Sequence, residues 1–236
     1  MQNFDFINKQ KTYFQSGKTR NINSRIEVLD KLYLSISKNE LRIFEALKKD
    51  LNKSNFETYL TEIAILKSEI ELIKKKLKSW SKPKRITPSL ASFPSKDYLH
   101  LEPYGITLII SPWNYPFQLA LLPLISSISA GNTAVLKPSE HSPHTSKLVE
   151  EIITDIFPVD YVKVILGDSK VASKLLELRW DYIFFTGSVR VGKIVAKAAS
   201  EFLTPITLEL GGKNPCIVDK NIDVKLLLLS SFLIIF

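Results

Sequence analysis

Tyr182-Ile183-Phe184-Phe185-Thr186-Gly187-Ser188-Val189-Arg190-Val191-Gly192 runs from an apolar, β-prone segment through a glycine turn into a helical pattern. The spacing predicts a strand over Tyr182–Phe185 and a helix over Val189–Phe202, with the turn at the strand's carboxyl end. Gly187 and Gly192 flank a helix N-terminus, where N–H groups and the positive end of the helix dipole suit a phosphate. The spacing is not G-x-G-x-x-G, and an ordinary tight turn before a close-packed helix fits the same residues. The setting of the turn gives it weight.

The same alternation continues outward from this stretch. Ile106–Ile110 precedes a helical segment over Phe117–Ala130, Thr133–Leu136 precedes His144–Ile156, and Tyr161–Ile165 precedes Lys170–Leu178; Ile206–Leu208 follows the helix at Val189. Apolar runs alternating with helices predict an α/β fold, a doubly wound and mostly parallel sheet covered on both faces. Ligands of such sheets bind at the carboxyl ends of the strands.

The first eighty residues carry helical periodicity. Ser37 with Glu40 and Ser54 with Glu57 read as capping boxes, the first ahead of Leu41, Phe44, Leu47 and Leu51. Leu60, Ile63, Leu66, Ile70, Ile73, Leu77 and Trp80 form one apolar stripe, which marks scaffold rather than chemistry. From Ser81 to Ser95, Pro83, Pro88 and Pro94 predict an extended connection.

The formal charge of +8 is uneven. Residues 1–100 hold 20 Lys/Arg against 11 Asp/Glu, and residues 101–236 hold 12 against 13. The excess peaks at Lys74-Lys75-Lys76-Leu77-Lys78, with no interleaved aromatics, so a solvated helix face is expected and no nucleic-acid partner. The single cysteine, Cys216, excludes an internal disulfide. The start, Met1 to Phe6, carries an acid and no apolar core, so a cytoplasmic setting is expected.

Three further polar motifs fall at predicted strand ends. In Ser111-Pro112-Trp113-Asn114-Tyr115-Pro116, the Asn114 amide offers N–H donors without a charge, suited to a developing oxyanion, although a capped turn before the next helix explains the motif equally well. In Lys137-Pro138-Ser139-Glu140, an ammonium and a carboxylate match the donors and acceptors of a ribose diol; a proline-initiated helix with an N-terminal acid is the plain alternative. In Leu208-Glu209-Leu210-Gly211-Gly212-Lys213-Asn214-Pro215, Glu209 reads as a buried acid beside backbone open to close approach, a position for a general base.

The order of Pro-Trp-Asn-Tyr-Pro, Lys-Pro-Ser-Glu, Phe-Thr-Gly-Ser-x-x-x-Gly and Leu-Glu-Leu-Gly-Gly-Lys resembles the aldehyde dehydrogenase superfamily, most closely its class 3 or fatty-aldehyde branch, from about Arg25 to Asp223. The resemblance implies a Rossmann-like fold with N-terminal helices over 1–80, an extended connection over 81–100, an NAD(P)-binding domain over 101–208 and the start of a catalytic domain over 209–236. It implies NAD or NADP as cofactor, an aldehyde as substrate and a homodimeric parent; no membrane span and no metal site are expected. By position, Asn114 would be the oxyanion donor and Glu209 the general base. Trp113, Lys137, Glu140, Gly187, Ser188, Val189, Arg190, Val191, Gly192 and Leu210 would contact the cofactor. Glu140 near a ribose opposes a 2′-phosphate and Lys137 favours one, so the choice between NAD and NADP stays open.

The superfamily's nucleophilic cysteine lies a few dozen residues past its glutamate motif. Cys216, between Pro215 and Ile217-Val218, reads as a buried strand residue instead. The resemblance fades at about Leu226, where Leu226–Phe236 is apolar and too short to span a bilayer. A truncated or frameshifted end is therefore expected, giving a fragment that does not turn over by itself. The alternative is a module that binds NAD(P) without catalysis.

Overall fold

The computed structural model describes residues 5–215, 217 and 220. Cys216 and the apolar tail Leu226–Phe236 lie outside the described residues.

Helix α1 (Phe6–Gln15) is followed by α2 (Ile22–Lys38), α3 (Glu40–Leu51) and α4 (Asn55–Thr58), which continues through a π-helical turn over Tyr59–Ile63 into α5 (Ala64–Trp80). Three of the predicted features are corrected here. Ser37 does not cap α3: its hydroxyl donates to the Tyr33 carbonyl within α2, and Asn39 stands at the cap position. The α3 face is also turned, because Ile43, Ala46 and Leu47 are buried while Leu41 is 74% exposed. Ser54 does cap α4, accepting the Glu57 N–H at 3.1 Å. Ile63 at the end of the π-helical turn and Leu66, Ile70, Ile73 and Leu77 on α5 are buried, each contributing about 1.5–3 kcal/mol if fully removed from water. Leu60 and Trp80, also assigned to that stripe, are about half exposed.

The stretch predicted as an extended connection contains a small hairpin. Strand β1 (Lys84–Ile86) pairs antiparallel with β2 (Asp97–Leu99), Lys84 opposite Leu99. Pro88 and Pro94 fall between the strands, where their missing N–H groups cost no ladder bond.

Beyond it lie β3 (Ile106–Ile110), α6 (Gln118–Ala130), β4 (Thr133–Lys137), α7 (Pro143–Ile156), β5 (Val162–Val164), α8 (Ser169–Leu176), β6 (Tyr182–Gly187), α9 (Val189–Ser200) and β7 (Ile206–Leu210). The strands form one parallel five-stranded sheet in the order β5-β4-β3-β6-β7. This is the predicted doubly wound α/β sheet. Strand β6 and β7 each run two residues beyond their predicted ends.

Alternating side chains of the strands feed two cores. Ile109, Ala134, Leu136, Val162 and Val164 pack with α2, α3, α5, α6 and α7 on one face. Leu108, Ile110, Val135, Ile183 and Phe185 pack with Phe6 of α1, Leu175 and Leu176 of α8, and Val195 and Ala199 of α9 on the other. Burial on both faces explains why β3 and β4 lack a polar alternation. Helix α6 lies between the sheet and the N-terminal helices, and its sequence is apolar nearly all round. The basic run on α5 is partly neutralised within the layer, since Lys74 Nζ pairs with Asp30 at 2.6 Å and Glu71 at 2.9 Å.

Candidate functional site

Strands β3 and β6 are neighbours although β4 and β5 come between them in sequence. After β3 the chain passes to α6 on one face, and after β6 to α9 on the other. That divergence opens a crevice at the carboxyl ends, the usual ligand position in an open α/β sheet. The registers level the four motif-bearing ends. Ile110 is opposite both Lys137 and Phe185, Phe185 opposite Leu208, Thr186 opposite Glu209 and Gly187 opposite Leu210. From β4 to β7 the rim spans three strand spacings, roughly 14 Å. An extended ligand matches such a span.

The loop after β3 is built on backbone first: the Ser111 N–H donates to the Lys137 carbonyl at 3.2 Å, prolonging the ladder past the strand. Asn114 Oδ1 and Ser111 Oγ are both buried without a protein hydrogen-bond partner. Both atoms are acceptors placed at the strand end, with lone pairs open to a donor from solvent or from a bound molecule. The oxyanion role expected of Asn114 uses the other end of the same amide, its Nδ2 donors.

Sequence reading missed what holds this loop. Phe117 and Gln118 N–H groups donate to Glu62 Oε2 at 2.9 and 3.2 Å, so a carboxylate from the N-terminal layer caps α6. Glu62 Oε1 accepts from Lys53 Nζ at 2.5 Å, and that ammonium lies 3.8 Å from the centroid of the Tyr115 ring. Both side chains of this ion pair are fully buried. Burial pushes the Glu62 carboxyl above the usual carboxylate range, against the pull of Lys53 and of the two N–H donors.

The loop after β4 is held in a parallel way. Asp50, near the end of α3, accepts the His144 N–H at 3.1 Å and the Thr145 N–H and hydroxyl at 2.7 Å, capping α7. Lys137 and Glu140 are brought together as expected, Nζ to Oε2 at 2.7 Å. Lys137 is buried and Glu140 is the member open to solvent. Burial would raise the Glu140 carboxyl, yet the Lys137 ammonium, its own N–H and His141 together hold it below its ordinary value.

At the glycine turn, Ser188 caps α9 by accepting the Val191 N–H at 3.4 Å, and the first intrahelical bond runs from Gly192 N–H to the Ser188 carbonyl at 2.9 Å. The N–H groups of Val189 and Arg190 precede that bond and have no acceptor inside the helix. Both glycines sit at close approaches. A Cβ on Gly187 would stand 2.7 Å from the Phe185 ring, and one on Gly192 would stand 2.8 Å from Leu210 Cδ2. Leu210 thus links the glycine helix to the strand that carries Glu209.

Glu209 is exposed, which corrects its reading as a buried acid. Strand β7 is the outer strand of the described sheet, with a partner on only one side. The carboxylate still lies at the rim. A separate cleft lined by Arg25, Trp80, His100 and Ser129 sits near the end of α6, and contains none of the motif residues.

An open parallel sheet with polar loops and a helix N-terminus gathered at its switch point is the architecture of a nucleotide-binding α/β unit. The aldehyde dehydrogenase family model matches residues 5–232, and the chain belongs to that family. The match is wider at both ends than the Arg25–Asp223 span delimited by the motifs. A family 3 aldehyde dehydrogenase of Dictyostelium discoideum is 48% identical over 214 residues, 90% of this chain and 46% of the relative. Among solved structures, the substrate-bound state of Staphylococcus aureus AldH superposes with a TM-score of 0.89 at 45% identity, covering 95% of this chain and 49% of that one. A betaine aldehyde dehydrogenase from the same species, solved with NAD+, gives 0.78 at 27% identity, covering 94% and 45%. The chain spans about half the length of the relatives it matches.

Proposed function

We propose that this chain is the NAD(P)-binding half of an aldehyde dehydrogenase, whose whole protein oxidises an aldehyde to a carboxylic acid. The observation that carries this reading is the convergence of four motif-bearing strand ends on the switch-point crevice. The relative solved with NAD+ supports the cofactor class. A bound nicotinamide supplies the hydride acceptor. The chain's own residues bind and orient. The α9 N-terminus, with Ser188 to Gly192 behind Gly187, would receive the pyrophosphate; Glu140, backed by Lys137, would hold the ribose hydroxyls; Trp113 and Leu210 would line the cleft. Asn114 Nδ2 donates to the oxyanion as it develops, and Glu209, exposed at the rim, accepts a proton from the thiol or from water.

The reaction needs a thiolate, and the resemblance places the nucleophile further along the chain than Cys216, the one cysteine of these 236 residues, which lies outside the described residues. The 236 residues alone therefore bind cofactor without turnover. Calorimetric titration with NAD+ and NADP+, alongside assays of aldehyde oxidation and ester hydrolysis, tests both halves of the reading. Saturable binding with no turnover is expected. A natively folded chain that binds neither dinucleotide overturns the first half, and turnover abolished by Cys216→Ser overturns the second.

A further inference from the structure

The fully buried Lys53–Glu62 pair has no part in the chemistry above, and stability alone is a weak reason for it. Desolvating two charges costs about as much as their attraction returns, and apolar replacements of such pairs are often neutral or better. Its placement is more informative. Lys53 lies in the turn between α3 and α4, and the π-helical turn over Tyr59–Ile63 adds a residue to the helix, shifting its phase so that Thr58, Glu62 and Ile63 face inward while Leu60 faces out. Glu62 thereby meets the Phe117 and Gln118 N–H groups where the rim loop becomes α6, and Lys53 meets the ring of Tyr115 within that loop. Both ends of the ion pair contact the segment that follows Asn114, and neither is solvent-exposed.

We propose that Lys53 and Glu62 are positioning residues for the Ser111–Phe117 loop, fixing its exit at the α6 N-terminus and at Tyr115 so that Trp113 and Asn114 are held toward the crevice. This rests on the functional reading of that loop. The N-terminal helices, in this view, set the geometry of the rim as well as burying the sheet.

The test uses the 236-residue chain with Glu62→Gln, Lys53→Met, the apolar pair replacement Lys53→Met/Glu62→Leu, and Ile43→Val in the α3 core as a stability control. Two readouts are taken under conditions where each protein is folded: amide and side-chain NMR signals of Trp113, Asn114, Phe117 and Gln118, and NAD+ affinity. The pair variants are expected to shift the Trp113 indole and Asn114 carboxamide signals and weaken NAD+ binding about tenfold, ~1.4 kcal/mol. Ile43→Val should change neither. If Glu62→Gln or Lys53→Met does not fold, the apolar double variant, which leaves no unpaired charge, carries the test. Wild-type loop signals and affinity in a folded pair variant overturn the proposal. If the unsubstituted chain binds no dinucleotide, the functional reading fails, and the loop signals still decide the positioning role.

Discussion

Glu209 of β7 is the register partner of Thr186 of β6, one residue before the glycine turn. The parallel pairing fixes the carboxylate beside the turn without burying it or giving its side chain a hydrogen-bond partner among the described residues, so its removal should leave the fold alone. Glu209→Gln is expected to keep the melting temperature within about 2 °C, as for surface substitutions away from packed features, and to retain NAD+ binding. Differential scanning calorimetry checks the first point. A larger drop would give Glu209 a structural task.

Gly187 faces a steric limit before it faces any ligand. A Cβ there meets the Phe185 ring at 2.7 Å, and Phe185 is buried among Leu108, Ile183 and Val195. Such a ring has little room to yield. Gly187→Ala is expected to destabilise by about 1–3 kcal/mol, the range for overpacking, read as a lower urea midpoint. Gly192→Ala differs in sign of argument. Its obstacle is the far end of the partly exposed Leu210 side chain, which can rotate, and helix propensity gains about 0.5–1 kcal/mol for Ala over Gly. A near-neutral or slightly stabilising result is expected there, and equal losses at both glycines would contradict the distinction.

The α7 cap offers a cleaner measure of how the helical layer supports the rim. Asp50→Ala removes acceptors from two N–H groups and the Thr145 hydroxyl, and should cost about 0.5–2 kcal/mol, as loss of a helix cap does. Asp50→Asn keeps an acceptor and should recover part of the loss. Chemical denaturation of both variants, compared with Asp168→Ala at the α8 cap, separates a general capping effect from one specific to α7.

The sheet was legible because its strands are buried on both faces: Ile106–Ile110 and Thr133–Leu136 are largely apolar runs of strand length alternating with helical segments, the pattern of a parallel, doubly covered sheet. The rim was legible because each polar motif directly follows such a run. The supports of the rim were not. Lys53, between Asn52 and Ser54, has the local look of a solvated turn, and only tertiary structure, which sets it against Glu62 and the Tyr115 ring, takes it out of water. Glu62 was hidden by periodicity, since a regular helix places Leu60 in the buried stripe and the π-helical turn moves the phase. Ser37 failed as a cap because α2 runs on to Lys38 and uses that hydroxyl internally. Local patterns located the elements, while the contacts between the helical layer and the sheet depended on tertiary geometry.

The Lys137–Glu140 pair predicts a pH dependence with a definite sign. Glu140's carboxyl is held below its ordinary value of 4.5 in the folded chain, with burial opposing and Lys137, its own N–H and His141 prevailing. A carboxylate whose folded pKa is depressed adds stability above its unfolded pKa, and loses that contribution as the pH falls through the folded value. The window therefore lies below about pH 4.5 and is absent at neutrality. Glu140→Gln removes the titration, so the urea midpoint of the unsubstituted chain should fall more steeply than that of the variant between pH 5 and the acid limit, on the order of one proton's worth of difference. Salt should narrow the gap, because the carboxylate is partly open to solvent. Parallel profiles for the two proteins would show that Lys137 and Glu140 do not hold each other in solution, and would leave Lys137 a buried cation in need of another partner.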